Sequence, residues 1–247
     1  MEPSNDKFKV GLVQMTSSHV IEDNIRVADE LIRLAAAQGA EFILTPEMTT
    51  LLDFETKQAM QKILSEEEDR SFLFSPDGAK VATYDKIHMF DVDLPGEDAY
   101  RESNAYEAGT GAVIADLPWG KVGLSICYDL RFPYLYRALS HAGAVMLTVP
   151  AAFTEQTGKA HWHTLLQARA IENGAFVFAA AQGGEHTNGR RTYGHSLVVD
   201  PWGTILGDGG DEIGVTVVNI DMGLVARARN RIASLTHDKN IAIQAIT

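Results

Sequence analysis

Acyl transfer from an amide requires a thiol, an ammonium and a carboxylate. This chain places one of each just after an apolar or hairpin segment. Glu47 follows Phe42–Thr45, Lys86 follows Val81–Asp85, and Cys127 follows Val122–Ile126. In such a set the thiol attacks the carbonyl, the carboxylate moves protons, and the ammonium stabilises thiolate and developing oxyanion. A neighbouring cation is also expected to draw the thiol below its free pKa of about 8.5. Cys127 is the sole cysteine of 247 residues, in the run Lys121-Val-Gly-Leu-Ser-Ile-Cys-Tyr-Asp-Leu-Arg-Phe-Pro133. Pro133 suits a first helical turn, so the thiol falls where a strand gives way to a helix, close to backbone N–H groups and the positive helix end. Against this stands the commonest fate of a lone cysteine, a small buried hydrophobe.

The elements that must position these groups follow from periodicity and punctuation. A strand is expected at Lys9–Gln14, followed by a helix capped by Asp23 or Asn24. The helix carries Ile25, Ala28, Ile32 and Ala35 on one face and has Gly39 beyond its end. Phe42–Thr45 then reads as a buried strand closing at Pro46-Glu47. The same order returns later: helix 133–142, Gly143-Ala144, strand Val145–Val149, Pro150. This is a weak internal repeat of strand–helix–strand units. Further on, a helix is predicted at Ala160–Asn173 and a strand at Ala175–Ala179. A hairpin turns through Asp200-Pro-Trp-Gly203, a strand spans Val215–Ile220, and a helix spans Met222–Arg231. Between Glu47 and Lys86 lie a polar helical segment, Phe54–Asp69, and a hairpin signal at Phe72–Ala79. Alternating helices and apolar strands predict a layered α/β fold, with no linker to divide residues 1–247 into more than one domain.

Composition narrows the function. A net charge of −12 argues against nucleic acid or an anionic membrane as the main partner, because both reward clustered Lys and Arg. One cysteine cannot form an internal disulfide, the first residues lack a signal-peptide pattern, and no apolar run is long enough for a membrane span. The expected setting is cytoplasmic.

The windows Leu-Thr-Pro-Glu47-Met, Tyr-Asp-Lys86-Ile-His-Met-Phe-Asp91 and Ser-Ile-Cys127-Tyr-Asp-Leu-Arg131-Phe-Pro resemble the nitrilase, or carbon–nitrogen hydrolase, superfamily. The resemblance continues through Pro150–Phe153, Gly158–Trp162, Arg169–Asn173, Tyr193–Ser196 and Asp200–Gly203, and so covers nearly the whole chain. Within the superfamily it is most similar to the Nit branch, which hydrolyses ω-amides of 2-oxo acids and deaminated glutathione. The resemblance implies an α-β-β-α sandwich and pairing of subunits into a homodimer or higher homo-oligomer. It implies Cys127 as nucleophile, Glu47 as general base, Lys86 as cationic stabiliser and Glu102 as a second glutamate. The Tyr128 backbone N–H would complete the oxyanion hole, with Phe153 and Tyr193 as pocket walls. One departure stands out: the segment 54–70 is shorter than the family pattern by roughly a strand–loop unit. A true loss would thin a wall of the pocket. The alternatives are a catalytically impaired scaffold or binding protein of the same fold, or a nitrilase or carbamoyl amidase of another branch.

Arg131, four residues past the thiol, is a candidate clamp for a substrate carboxylate, because a guanidinium binds carboxylates bidentately. Arg190-Arg191 reads instead as part of a solvated loop. Of the eight histidines, His161 and His163 sit two apart on one predicted helix and should not converge on an ion; His186 with His195 is the other pairing considered. No Cys-x-x-Cys or His-Glu-x-x-His spacing occurs, and the glycine-rich stretches lack the strand–helix context of a phosphate cradle. No metal and no cofactor are expected; the partner is a small-molecule amide.

Overall fold

A computed structural model describes residues 6–52, 70–93 and 99–245. The predicted polar helix at 54–69 lies outside the described residues, apart from the expected hairpin that follows it. Two sheets carry the fold. The smaller joins β1 (Lys7–Gln14) in parallel to β2 (Phe42–Leu44) and antiparallel to β15 (Gly214–Asp221), in the order β15-β1-β2. The larger runs β14-β13-β10-β9-β8-β7. Its strands are β7 (Ile114–Leu117), β8 (Gly120–Leu124), β9 (Ala144–Thr148), β10 (Phe176–Ala179), β13 (Leu197–Val199) and β14 (Ile205–Asp208). Short hairpins complete the chain: β3 (Arg70–Phe74) with β4 (Lys80–Asp85), β5 (Asp91–Val92) with β6 (Tyr100–Arg101), and β11 (Gly183–Glu185) with β12 (Arg191–Tyr193).

The two sheets pack face to face. Val10, Leu12, Phe42 and Ile220 of the smaller sheet share one core with Val122, Leu124, Met146, Phe178 and Val198 of the larger. Phe8 stacks on Trp119 at 4.1 Å, and Phe42 meets Phe178 at 6.1 Å. Helix α1 (Ile21–Ala37) covers the outer face of the smaller sheet. Helices α2 (Pro133–His141) and α3 (Glu155–Asn173) cover the larger, and α4 (Gly223–Arg231) follows β15. The layers are therefore α-β-β-α. Each sheet holds one of the repeated units: β1-α1-β2 in the smaller and β8-α2-β9 in the larger, both with adjacent parallel strands.

Boundaries moved where tertiary contacts overrode local signals. Helix α1 starts at Ile21, before the expected caps. Asn24 sits inside it, its side-chain oxygen accepting the Ser18 N–H at 2.8 Å and its amide donating to Thr50 O at 2.9 Å. Helix α3 begins five residues before the predicted start, capped by Thr154. Gly158 lies in its first turns, where glycine weakens a helix. The reason for the glycine is spatial: a Cβ there would lie 2.3 Å from the Tyr193 Cβ. Among the described residues, no helix is long and apolar enough to cross a membrane.

Candidate active site

Glu47 leaves the smaller sheet just after β2, and Cys127 leaves the larger just after β8; the chain after β4 carries Lys86 between them. All three side chains are buried, as is Glu102, in the short 3-10 turn after β6. The Lys86 Nζ donates to Glu47 Oε1 at 2.9 Å and to Glu102 Oε1 at 2.6 Å. The second oxygen of each glutamate takes a backbone N–H: Ala152 to Glu47 at 2.7 Å, and Phe90 to Glu102 at 2.5 Å. Two fixed carboxylates thus hold one ammonium, each carboxylate tied to a different loop.

The thiol belongs to the same cluster. Cys127 has φ +45°, a left-handed conformation that non-glycine residues rarely adopt and that turns the side chain out of the line of β8. Burial pushes its pKa well up, and the nearby Glu47 carboxylate raises it further; Lys86 and the Ala152 N–H only partly oppose them. The expectation that a cation would draw the thiol down is therefore corrected. At rest the group is S–H, facing a carboxylate able to receive its proton. Burial also raises Glu102, with the charge of Glu47 pushing the same way and Lys86 opposing. The direction follows from charge: two carboxylates beside one ammonium leave an excess negative charge, which the low-dielectric interior disfavours.

Beyond the thiol the chain forms a 3-10 turn, Cys127–Arg131, before α2 starts at Pro133. The Cys127 N–H is held by Pro150 O at 2.9 Å and the Asp129 N–H by Ile126 O at 3.0 Å. Among the described residues, no acceptor takes the Tyr128 N–H between them, as expected for the orphan donors of a helical start. Arg131 lies over the rings of Phe153, at 5.2 Å, and Tyr128, at 5.8 Å, and its guanidinium is 3.3 Å from His161 Nδ1. Three of the four predicted binding residues thus meet. Tyr193 joins them only through its backbone, its N–H donating to Phe153 O at 2.9 Å, while its ring stacks on His195.

Carbon–nitrogen hydrolases match this chain over residues 54–230. It is 40% identical to deaminated glutathione amidase from Synechocystis sp. (strain PCC 6803 / GT-S), over 93% of this chain and 97% of that protein. The chain belongs to the carbon–nitrogen hydrolase family. Its fold matches the crystal structure of the NitFhit protein of C. elegans with a TM-score of 0.82 at 34% identity. That match covers 94% of this hydrolase and 65% of the longer chain. It also matches an amidase from Nesterenkonia sp. AN1 with a TM-score of 0.71 at 25% identity, over 93% of this chain and 98% of that one. The Nesterenkonia structure shows the result of Michael addition of acrylamide at its active site cysteine. The match to the Synechocystis amidase extends over 265 positions while using 93% of 247 residues, so it includes positions that this hydrolase lacks.

Two buried residues that sequence reasoning passed over hold the hydrolase's site together. Asp129 accepts the Ile126 N–H at 2.9 Å and the Tyr84 hydroxyl at 2.7 Å on one oxygen. On the other it takes the His88 N–H at 3.1 Å and meets His88 Nδ1 at 2.7 Å. Tyr84 and His88 flank Lys86, so this one carboxylate fixes the lysine segment against the turn that begins at Cys127. Gln182 does the same for the glutamate: its amide donates to Glu47 O at 2.9 Å and Met48 O at 3.2 Å, and its oxygen accepts the Ser17 N–H at 2.9 Å. The signal for Asp129 was present in the spacing Tyr-x-x-x-His and Cys-x-Asp. Gln182 left none. His186 is not paired with His195; it is buried between Ser17 O, at 2.8 Å, and the Thr192 hydroxyl, at 2.7 Å.

Proposed function

We propose that this hydrolase cleaves the C–N bond of a small carboxylate-bearing amide, an ω-amide of a 2-oxo acid or deaminated glutathione, through a Cys127 thioester. The observation that carries the reading is the buried Glu47–Lys86–Glu102 set beside the buried Cys127 thiol, which burial and the Glu47 charge hold in its neutral form. As the sulfur attacks the carbonyl carbon, its proton passes to Glu47, so a full thiolate never has to be buried unpaired. The charge that develops on the carbonyl oxygen is met by Lys86 and the Tyr128 N–H. Glu47 then gives the proton to the departing nitrogen, the C–N bond breaks, and ammonia or an amine leaves. Water enters, loses a proton to Glu47 and attacks the thioester. The acid is released and the thiol re-forms.

Arg131, set between Phe153 and Tyr128, supplies the charge for a substrate carboxylate, and the name of the Synechocystis relative supports the substrate class. A homodimer in the cytoplasm completes the proposal. Exposed Tyr134, Ile171, Trp202 and Ile232 offer apolar surface for a second copy, and a lone free cysteine suits a reducing compartment. The test is intact-mass trapping with deaminated glutathione and with a 2-oxo acid ω-amide, beside amine release. The expected result is a transient acyl adduct on the wild type and none on Cys127→Ala. Amine release that persists in Cys127→Ala, or the absence of release from either substrate, would overturn the proposal.

A further inference from the structure

Three non-glycine residues among those described have left-handed backbone conformations: Met48, beside Glu47; Cys127; and His195, with φ +53°. The first two shape the proposed active site. Such strain collects where a fold aims a side chain for a purpose, which directs attention to the third. His195 precedes β13, and its ring faces Asp208 at the end of β14, with Nδ1 2.9 Å from Oδ1 and 3.1 Å from Oδ2. His163 comes in from α3, its Nε2 3.1 Å from Asp208 Oδ2. One donor atom from each residue lies within 4.8 Å of the others, the only such group of three among the described residues.

We propose that His163, His195 and Asp208 bind a divalent transition-metal ion, zinc foremost, tying helix α3 to the β13–β14 hairpin. Tetrahedral zinc with bonds of about 2.0–2.2 Å to nitrogen and oxygen sets its ligands roughly 3.4 Å apart, so each histidine needs to open from Asp208 by only a few tenths of an ångström, and the two histidine donors already lie within 4.8 Å of each other. Two imidazoles and one carboxylate select a borderline ion over magnesium or calcium, which favour all-oxygen sites. The outer contacts are in place. His195 Nε2 lies 3.4 Å from Asp211 Oδ1, so a carboxylate orients the ring by its far nitrogen and leaves Nδ1 to face the centre. Asp208 Oδ1 accepts the Gly210 N–H at 2.9 Å. Asp208 and Asp211 together carry two negative charges beside two imidazoles, a balance that a divalent ion completes.

The scaffold is fixed before any ion arrives. Trp162, next to His163 and fully buried, donates its indole N–H to His195 O at 2.9 Å, which sets the spacing of the two histidines. Tyr193 packs against both, stacked on His195 at 4.4 Å and edge-on to His163 at 5.9 Å, while the two histidine rings meet edge-on at 5.1 Å. The expectation that His161 and His163 diverge holds, since His161 turns to Arg131. The partners of His163 come from the ends of the β13–β14 hairpin, more than thirty residues away.

The test uses chelator-stripped full-length protein titrated with zinc chloride by calorimetry, with circular dichroism to verify folding of each variant. Wild type should bind one ion per chain. His163→Ala and Asp208→Asn should each weaken binding by at least about a hundredfold, and Asp211→Asn by about tenfold. His141→Ala, at the other surface histidine–carboxylate pair, should leave the affinity unchanged. Cobalt in place of zinc should give the visible absorption of a four-coordinate site in wild type, lost in Asp208→Asn. Absence of saturable one-to-one binding in wild type, or wild-type affinity in folded His163→Ala and Asp208→Asn, would overturn the proposal.

Discussion

Glu102 and Asp238 are both carboxylates held by a cation at short range, yet their proton affinities move in opposite directions. Glu102 lies 2.6 Å from Lys86 and is raised, because burial outweighs the lysine and the neighbouring Glu47 adds to it. Asp238 is half-exposed and hydrogen-bonded to Arg137, first, and His141; it is held far below the usual carboxylate range. The same ion pair is a water-screened surface contact in one place and part of a proton-holding cluster in the other. Pairing alone therefore does not mark a functional carboxylate; pairing under burial with a like charge beside it does.

The two regions also impose opposite pH dependences on stability. The folded chain binds the Glu102 proton more tightly than the unfolded chain does. Its contribution is present below the unfolded carboxylate pKa and lost as pH rises through the higher folded value. Asp238 behaves inversely: its contribution is present above the unfolded pKa and lost as pH falls through the folded value.

The largest expected effect breaks the buried cluster. Lys86→Gln should lower kcat/KM by about a thousandfold or more while the chain stays folded, because the cation facing the developing oxyanion is gone. Lys86→Arg should recover little, since a planar guanidinium misplaces the charge. Near-normal turnover in folded Lys86→Gln would remove the cluster's functional meaning. Glu47→Gln should slow amide turnover by about a hundred- to ten-thousandfold. It should also move the pH midpoint of Cys127 alkylation by iodoacetamide downward, because the charge of Glu47 helps to hold the thiol up. A midpoint that stays put or rises would contradict that account.

Between the two extremes lies Arg131, partly exposed at the site's edge. Arg131→Ala should reduce discrimination between a carboxylate-bearing amide and its neutral analogue by about one to two decades, equivalent to a charge-assisted contact of roughly 1.5–3 kcal/mol. Equal loss on both substrates would mean that Arg131 supports the fold rather than the ligand. The smallest effect belongs to the surface pair. Asp238→Asn should leave kcat/KM unchanged and lower the melting temperature slightly at neutral pH, with the difference fading in acid and in high salt. A large loss of activity there would erase the contrast between the regions.

Chain-local patterns made much of this legible. The apolar runs that became β1, β8, β9 and β10 were readable because most of each is buried, and β2 and β15, only partly buried, were readable from their apolar, β-branched composition. Pro133 at the head of α2 and Gly174, left-handed after α3, punctuated helices as expected. The cap of α1 and the start of α3 were misplaced, because Asn24 serves a distant loop and Gly158 makes room for Tyr193.

Residue type and spacing determined the layered α/β fold and the candidate group of Glu47, Lys86, Glu102 and Cys127, since strand ends and the family-like windows are properties of short stretches. Whether that group meets is decided by the sandwich, which brings the ends of strands from two different sheets together around one lysine. The protonation of Cys127 was also beyond the sequence. A neighbouring lysine predicted a lowered thiol, and the burial and the carboxylate that reverse the sign exist only once both sheets have packed. The convergence of His163, His195 and Asp208 is of the same kind: a helix and a hairpin separated in sequence, held in register by the buried Trp162, place three donors where no spacing rule would look.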